Sequence, residues 1–187
     1  MVVLALFLLS ACGGLRYSQV TSEAKDFHPK TVAILPADVG AYEEARGIVE
    51  QIFAGVLVDK EWFADVVDAA TIGNQIQINE EYRRAVLDYL VKLKTINVSD
   101  SGLSKKIGEE SRVDAFFVIG IDFWSYAKEN DKKIGKVGLG IKMIEASTGK
   151  IMWKAGHHKT ESYMLIKPNL AYVAKDLIKT MVGEMPR

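Results

Sequence analysis

Few residues in this sequence are suited to covalent cross-linking or to metal binding. It contains one cysteine, Cys12, and three histidines. A single cysteine cannot form an internal disulfide, so the fold depends on an apolar core, which a chain of this length can bury. The adjacent His157 and His158 would point to opposite faces of a strand, with no further ligand at metal-binding spacing. We therefore predict no metal and no cofactor.

The chain also lacks net charge, because 24 Lys and Arg residues balance 24 Asp and Glu residues. This balance gives no overall attraction to nucleic acid, and we expect no nucleic-acid partner. Two Ser-x-x-Lys matches, at residues 125–128 and 147–150, fall at strand ends or turns, although this catalytic motif acts at the start of a helix. No serine stands in a nucleophile elbow, so we predict that the protein is not an enzyme.

The apolar run over residues 2–9 is too short to span a bilayer. It leads into Leu9, Ser10, Ala11 and Cys12, which resemble the lipobox of a bacterial lipoprotein signal. This resemblance implies a signal peptide over residues 1–11 and lipid attachment at Cys12. The next residue, Gly13, is not the aspartate of an inner-membrane retention signal, so the periplasmic face of the outer membrane is expected. The alternative is a buried strand with an incidental cysteine.

Residues 12–30 have little apolar periodicity and are expected to form a lipidated, flexible tether. A single periplasmic domain should follow over residues 31–187. The apolar run over residues 31–36 predicts a buried strand, and residues 65–67 predict a short one. Apolar side chains at three-and-four spacing predict helices over residues 45–57, 80–93, 101–111 and 170–181, with Asn79 and Asn169 as caps.

Residues 116–156 contain three apolar runs separated by polar turns, which predict three consecutive strands in an antiparallel meander. Because each helix has one apolar stripe, the helices must cover a face of the sheet. The fold class is therefore predicted as α/β: a two-layer sandwich whose mixed sheet has a C-terminal three-strand antiparallel meander covered by amphipathic helices.

Glycines and aromatic residues of the meander are candidates for contact rather than catalysis. Gly135, Gly138 and Gly140 lie within an alternating strand, where they keep one face flat so that another backbone or subunit can approach. Trp124 and Tyr126 lie where the first strand turns polar, and partial exposure would make them interface anchors. Around residues 163–166, Tyr163 and Leu165 are further candidates, the alternative being an edge strand packed on the domain. Trp153 is expected in the core.

Three segments together resemble a known group of proteins. Residues 31–36 (TVAILP), 114–120 (DAFFVIG) and 148–153 (TGKIMW) are similar to the periplasmic lipoprotein domains related to CsgG, LpoB, PelC and the N-terminal domain of TolB. Residues 123–126 (FWSY), followed by residues 137–139 (VGL) and the Thr-Gly-x-x-x-Trp hairpin, are most similar to the PelC branch. PelC is a ring-forming outer-membrane lipoprotein of exopolysaccharide export.

The resemblance implies a non-enzymatic protein that docks onto envelope partners or onto copies of itself. We therefore expect a lipid-anchored accessory subunit of an envelope export or assembly system, for exopolysaccharide or for protein secretion, with a homo-oligomeric ring as one arrangement. The alternative is a regulator that activates a peptidoglycan synthase, as LpoB does. A tether over residues 13–30 reaches only about 60 Å, which disfavours that alternative.

Overall fold

The computed structural model describes residues 16–186. The predicted signal peptide over residues 1–11 and the lipid attachment site Cys12 lie outside the described residues. Within them, the chain forms six strands, five α-helices and two short 3₁₀ turns. In chain order they are β1 (Tyr17–Val20), β2 (Thr31–Ile34), α1 (Ile48–Lys60), β3 (Asp65–Val67), α2 (Ala69–Ile78), α3 (Glu80–Thr95), α4 (Ser101–Ser111), β4 (Ala115–Glu129), β5 (Lys132–Glu145), β6 (Ile151–Tyr163) and α5 (Leu170–Gly183).

All six strands form one open sheet in the order β1-β6-β5-β4-β2-β3. Strands β4, β5 and β6 pair antiparallel, β2 pairs parallel with both β3 and β4, and β1 pairs antiparallel with β6. The predicted α/β class, the mixed sheet and the C-terminal meander are confirmed. The meander strands are longer than their apolar runs because backbone pairing continues into the polar hairpin, where Asn130 and Asp131 take positive φ.

Strand β4 shows how the helices cover the sheet. Phe117 faces α1, where its ring meets that of Phe53 edge-to-face at 5.0 Å, and α5 covers the same face. The neighbouring Phe116 points the other way, onto Tyr89 of α3 at 5.2 Å. Sheet, α1 and α5 form the predicted sandwich, in which Trp153 is fully buried. On the opposite face, α2, α3 and α4 cover the end of the meander next to β2.

Two of the five α-helices, α3 and α5, begin at the caps predicted from sequence, whereas α1 begins at Ile48, three residues after its predicted start. The Asn79 side chain accepts a hydrogen bond from the Tyr82 N–H at 3.0 Å at the start of α3, and Asn169 does the same for Ala171 at 2.8 Å in α5. Helix α2 was not predicted, because its sequence AATIGNQIQI contains glycine and β-branched residues that form helices weakly. Its cap is Asp68, which accepts from the Thr71 N–H at 2.7 Å.

The prediction that residues 12–30 form a flexible tether is wrong for most of its described part, which is folded. Strand β1 forms an edge of the sheet, and the Ser18 hydroxyl accepts a hydrogen bond from the Trp153 indole N–H at 3.1 Å. The turn Ser22–Lys25 then buries Ala24 in the main core. Strand β1 is four residues long and mostly exposed, so it shows no apolar periodicity, and its backbone pairing with β6 holds it in the sheet.

The start of β4 is attached to β2 by one carboxylate. Asp114 Oδ2 accepts hydrogen bonds from the backbone N–H groups of Lys30 at 2.8 Å and Thr31 at 2.9 Å, and from the Thr31 hydroxyl at 3.2 Å. The Asp114 N–H in turn donates to the Thr31 carbonyl at 3.0 Å. The N–H of Thr31, followed by that of Lys30, holds the pKa of Asp114 below its ordinary value of 3.8.

We predict that Asp114→Asn lowers the free energy of unfolding by about 1 kcal/mol near neutral pH, because an amide oxygen accepts these bonds more weakly than a carboxylate. The pKa of Asp114 is depressed by folding, so its contribution is complete above about pH 4 and is lost as the pH falls through the folded-state pKa. Thermal melts at pH 6 and pH 3 should therefore show that the melting temperatures of wild type and variant differ less at pH 3 than at pH 6. Asp59→Asn, on the exposed face of α1, is the control and should melt like wild type at both pH values. A difference in melting temperature between wild type and Asp114→Asn that does not change with pH would contradict the prediction.

Candidate functional site

Metal ligands do not assemble in the part of the chain that the structure describes. No group of three or more His, Cys, Asp or Glu residues within residues 16–186 is placed to hold an ion. The rings of His157 and His158 lie 5.9 Å apart, and that of His158 packs edge-on against Phe123 at 6.3 Å. Two surfaces of the described chain expose large apolar side chains.

The first surface is the connection from β6 to α5, at the tip of the meander. Three consecutive side chains, which we call the apolar loop, are almost fully exposed: Met164 is 88% exposed, Leu165 95% and Ile166 86%. Soluble proteins seldom expose large apolar side chains in such a contiguous group unless something covers it. These three side chains are the most exposed contiguous group of large apolar residues on the described chain.

The apolar loop is held in place at both ends. Tyr163 precedes it, and the ring of Tyr163 packs edge-on against that of Tyr126 at 6.0 Å. After it, the Tyr126 hydroxyl donates to the Pro168 carbonyl at 2.7 Å, and the Lys167 ammonium lies 4.7 Å from the Tyr126 ring centre. Three of the four predicted interface residues, Tyr126, Tyr163 and Leu165, thus form one surface.

The fourth predicted interface residue, Trp124, lies in the core and is only 4% exposed. A β-bulge between Ile121 and Phe123 explains this position, because one extra residue reverses the alternation of side chains along β4. Trp124 consequently points towards α5, and Phe123 points to the opposite face. Trp124 nevertheless forms part of the lining of a shallow depression of about 680 Å³, beside Tyr42 and Tyr126.

The second surface is a groove on the sheet face opposite α5, with a volume of about 520 Å³. Gly120 and Gly140 are cross-strand partners in its floor, and a Cβ atom added to either would meet nothing within 4 Å. One wall is the apolar side of α3. We call this surface the glycine groove, defined by its two floor glycines and the α3 residues Leu87, Leu90 and Val91.

The three glycines predicted to keep a strand face flat have different environments. A Cβ on Gly135 would meet the Pro168 ring at 2.7 Å, on the α5 side of the sheet. On Gly138 it would meet the Phe123 ring at 2.6 Å. Only Gly140 of the three is open, and its partner Gly120 was not identified from sequence. The signal for Gly120 was its position in the middle of an apolar strand.

Charged side chains lie around the glycine groove. Lys94 at the end of α3 pairs with Asp38 at 2.6 Å, and this bond lowers the pKa of Asp38. Lys142 also lines the groove and lies opposite Lys154 on the neighbouring strand. Burial, followed by the repulsion of Lys154, lowers the pKa of Lys142. The groove therefore combines an apolar wall with separate acidic and basic groups.

Comparison with known proteins identifies the fold. No family model matches the chain, and no curated protein matches it. The PelC dodecamer from Paraburkholderia phytofirmans is 16% identical, with a TM-score of 0.56 over 91% of this chain and 96% of that one. The chain has a PelC-like fold. Lipoprotein GNA1162 from Neisseria meningitidis is 13% identical, with a TM-score of 0.54 over 83% of this chain and 99% of that one.

The resemblance stated from sequence is thus confirmed at the level of the fold. The two PelC alignments cover 84% and 91% of this chain. At such low identity the likeness does not transfer any residue's role. The two surfaces of this PelC-like domain must therefore be interpreted from their own chemistry.

Two glycines on the same face of β5 provide a matched test of the groove geometry. Gly138→Ala should lower the free energy of unfolding by about 1–3 kcal/mol, because its Cβ would meet the Phe123 ring and the Cβ atoms of Asp122 and His158. Gly140→Ala should leave stability unchanged or raise it slightly, since its Cβ enters open space. Thermal melts measure both variants, and equal losses at the two positions would show that the groove floor is not open.

Proposed function

We propose that the protein is a lipid-anchored, non-enzymatic periplasmic interaction protein, an accessory subunit of an envelope export or assembly system. The observation that carries this proposal is the apolar loop, a contiguous exposed surface displayed on a PelC-like fold. Exposed apolar groups on a folded domain are typical of surfaces that bind another protein. Exopolysaccharide export and protein secretion are the two system types that fit such a subunit.

The anchor in this proposal is Cys12. Within residues 16–186 no helix is long and apolar enough to cross a bilayer. Support for lipidation comes from the lipobox resemblance of residues 9–12, and the residue after Cys12 favours the periplasmic face of the outer membrane. Because β1 begins at Tyr17, five residues after Cys12, the folded domain would lie within about 17 Å of its anchor.

This short distance also separates the two candidate functions. A regulator of a peptidoglycan synthase that is anchored in the outer membrane must reach across much of the periplasm. The pairing of β1 with β6 removes most of the expected tether, so the reach falls from about 60 Å to about 17 Å. The accessory subunit, which works beside its membrane, is therefore the function we propose.

The proposal includes self-association. PelC forms a dodecamer in its solved structures. The PelC-like domain described here has an exposed apolar loop and, on a different part of its surface, an apolar groove. A monomer would leave both in water, and association of copies would bury them.

Replacement of Cys12 by serine tests the anchor. Cells grown with labelled palmitate should incorporate label into the wild-type protein and into none of the Cys12→Ser variant, because a hydroxyl cannot replace the thiol as the site of lipid attachment. Gly14→Ser, outside the lipobox, is the control and should be labelled like wild type. Label on Cys12→Ser, or an unlabelled wild type, would overturn the lipid-anchored form of the proposal.

The mass of the full-length protein in mild detergent tests self-association. We expect wild type to sediment in analytical ultracentrifugation as an assembly several times the mass of one processed chain, with the detergent contribution subtracted. The sedimenting mass should fall on dilution, since association depends on concentration. A chain that stays monomeric at tens of micromolar would contradict the oligomeric form of the proposal.

A further inference from the structure

We propose that the apolar loop of one copy docks in the glycine groove of a second copy. This inference rests on the self-association in the proposed function and identifies the two surfaces that make the contact. Each is incomplete alone, because the loop has apolar side chains without cover and the groove has an open floor beside an apolar wall.

The loop is shaped to enter a groove. It protrudes at the end of β6, with its three side chains 86–95% exposed. Its position is held on one side by the packing of Tyr126 on Tyr163 and on the other by the hydrogen bond from Tyr126 to Pro168. A protrusion that is already ordered loses little conformational freedom on binding, which favours association.

The groove has room and apolar surface for such a protrusion. Its floor is backbone at Gly120 and Gly140, so an incoming side chain can approach the sheet closely. On its α3 wall, Leu87 is 54% exposed and Val91 58%, so both would bury further area against a second copy. The stretch of α3 that lines the groove is thus incompletely covered by its own chain.

Charges at the ends of the two surfaces are complementary. Glu161 precedes the apolar loop and Lys167 follows it. In the groove, Lys142 lies level with Val118, and Asp122 is four residues further along β4, roughly 13 Å away. Within residues 16–186 neither Lys142 nor Asp122 is in an ion pair. A docked loop would place its acidic end near Lys142 and its basic end near Asp122.

The apolar loop of the same chain cannot fill the groove. Tyr163 pairs with Lys133 at the tip of the meander, and Gly140 is seven residues away along β5, roughly 23 Å. Since both ends of the loop are held by Tyr126, it cannot fold back over that distance. Two different patches of one chain then meet between neighbours, and such a heterologous contact repeats into a ring or a filament.

One substitution on each surface tests the contact in the full-length protein. Leu165→Asp places a charge in the loop, and Gly140→Val fills the groove floor with a strand-favouring side chain that meets none of its own chain's atoms at Cβ. Both variants should sediment as monomers at concentrations where wild type is assembled, and their thermal melts should match that of wild type diluted until it is monomeric, because assembly itself stabilises the folded chain. Ile78→Asp is the matched control, because Ile78 is 88% exposed and belongs to neither surface; this variant should assemble like wild type.

A charge exchange tests the orientation. Lys167→Glu should raise the midpoint concentration of assembly about three- to fivefold, as expected for an exposed ion pair, and Asp122→Lys in the same chain should restore it. Rescue by the second substitution would show that these two residues lie near each other across the interface. If the double variant has a midpoint concentration of assembly as high as that of Lys167→Glu alone, or higher, the proposed orientation is wrong.

The outcomes separate this inference from the proposed function. A wild type that never assembles overturns both the docking and the self-association. A wild-type assembly that survives Leu165→Asp and Gly140→Val, or that is lost equally in Ile78→Asp, overturns the docking alone. If Leu165→Asp leaves the assembly intact and instead abolishes binding to vesicles of phosphatidylethanolamine and phosphatidylglycerol, the loop contacts the membrane and the docking proposal fails.

Discussion

The position of β4 between a parallel and an antiparallel neighbour is the constraint on which the rest of the structure depends. The Asp114 carboxylate binds the backbone at the start of β2, and the ladder to β5 continues from Ala115 to Glu129. Successive side chains of a strand point to opposite faces, so the start of β4 contributes to both apolar clusters, and helices cover both faces there. Helices on both faces of the sheet therefore pack against this one strand.

Both candidate surfaces are consequences of how this strand pairs. The bulge after Ile121 turns Trp124 inwards and leaves Phe123 over Gly138, so the sheet face beyond α3 changes from filled at Gly138 to open at Gly140. The ladder between β5 and β6 extends to the pair Lys133 and Tyr163 at the tip of the meander, and the apolar loop follows where β6 ends.

Sequence reasoning succeeded where the signal is local. The alternation in residues 116–156 and the cap at Asn79 are properties of neighbouring residues, so they predicted the meander and α3. It failed where the outcome depends on distant partners. Strand β1 is short and mostly exposed, and its pairing with β6 stabilises it. Gly138 and Gly140 look alike in sequence although only Gly140 faces open space. The burial of Trp124 depends on a bulge, and the alternation pattern does not show where an extra residue is inserted.

The pairing of β1 with β6 also affects the order in which the chain can fold. The indole N–H of Trp153 in β6 donates a hydrogen bond to Ser18 in β1, 135 residues earlier in the sequence. The first described strand therefore cannot pair until the last one is in place. Contacts of such long range require loop closure before they contribute any stability, and they form late. Until β6 has joined the sheet, the four residues of β1 remain an unpaired, sheet-compatible segment. A chain interrupted before residue 156 would thus leave β1 available to pair with the wrong strand.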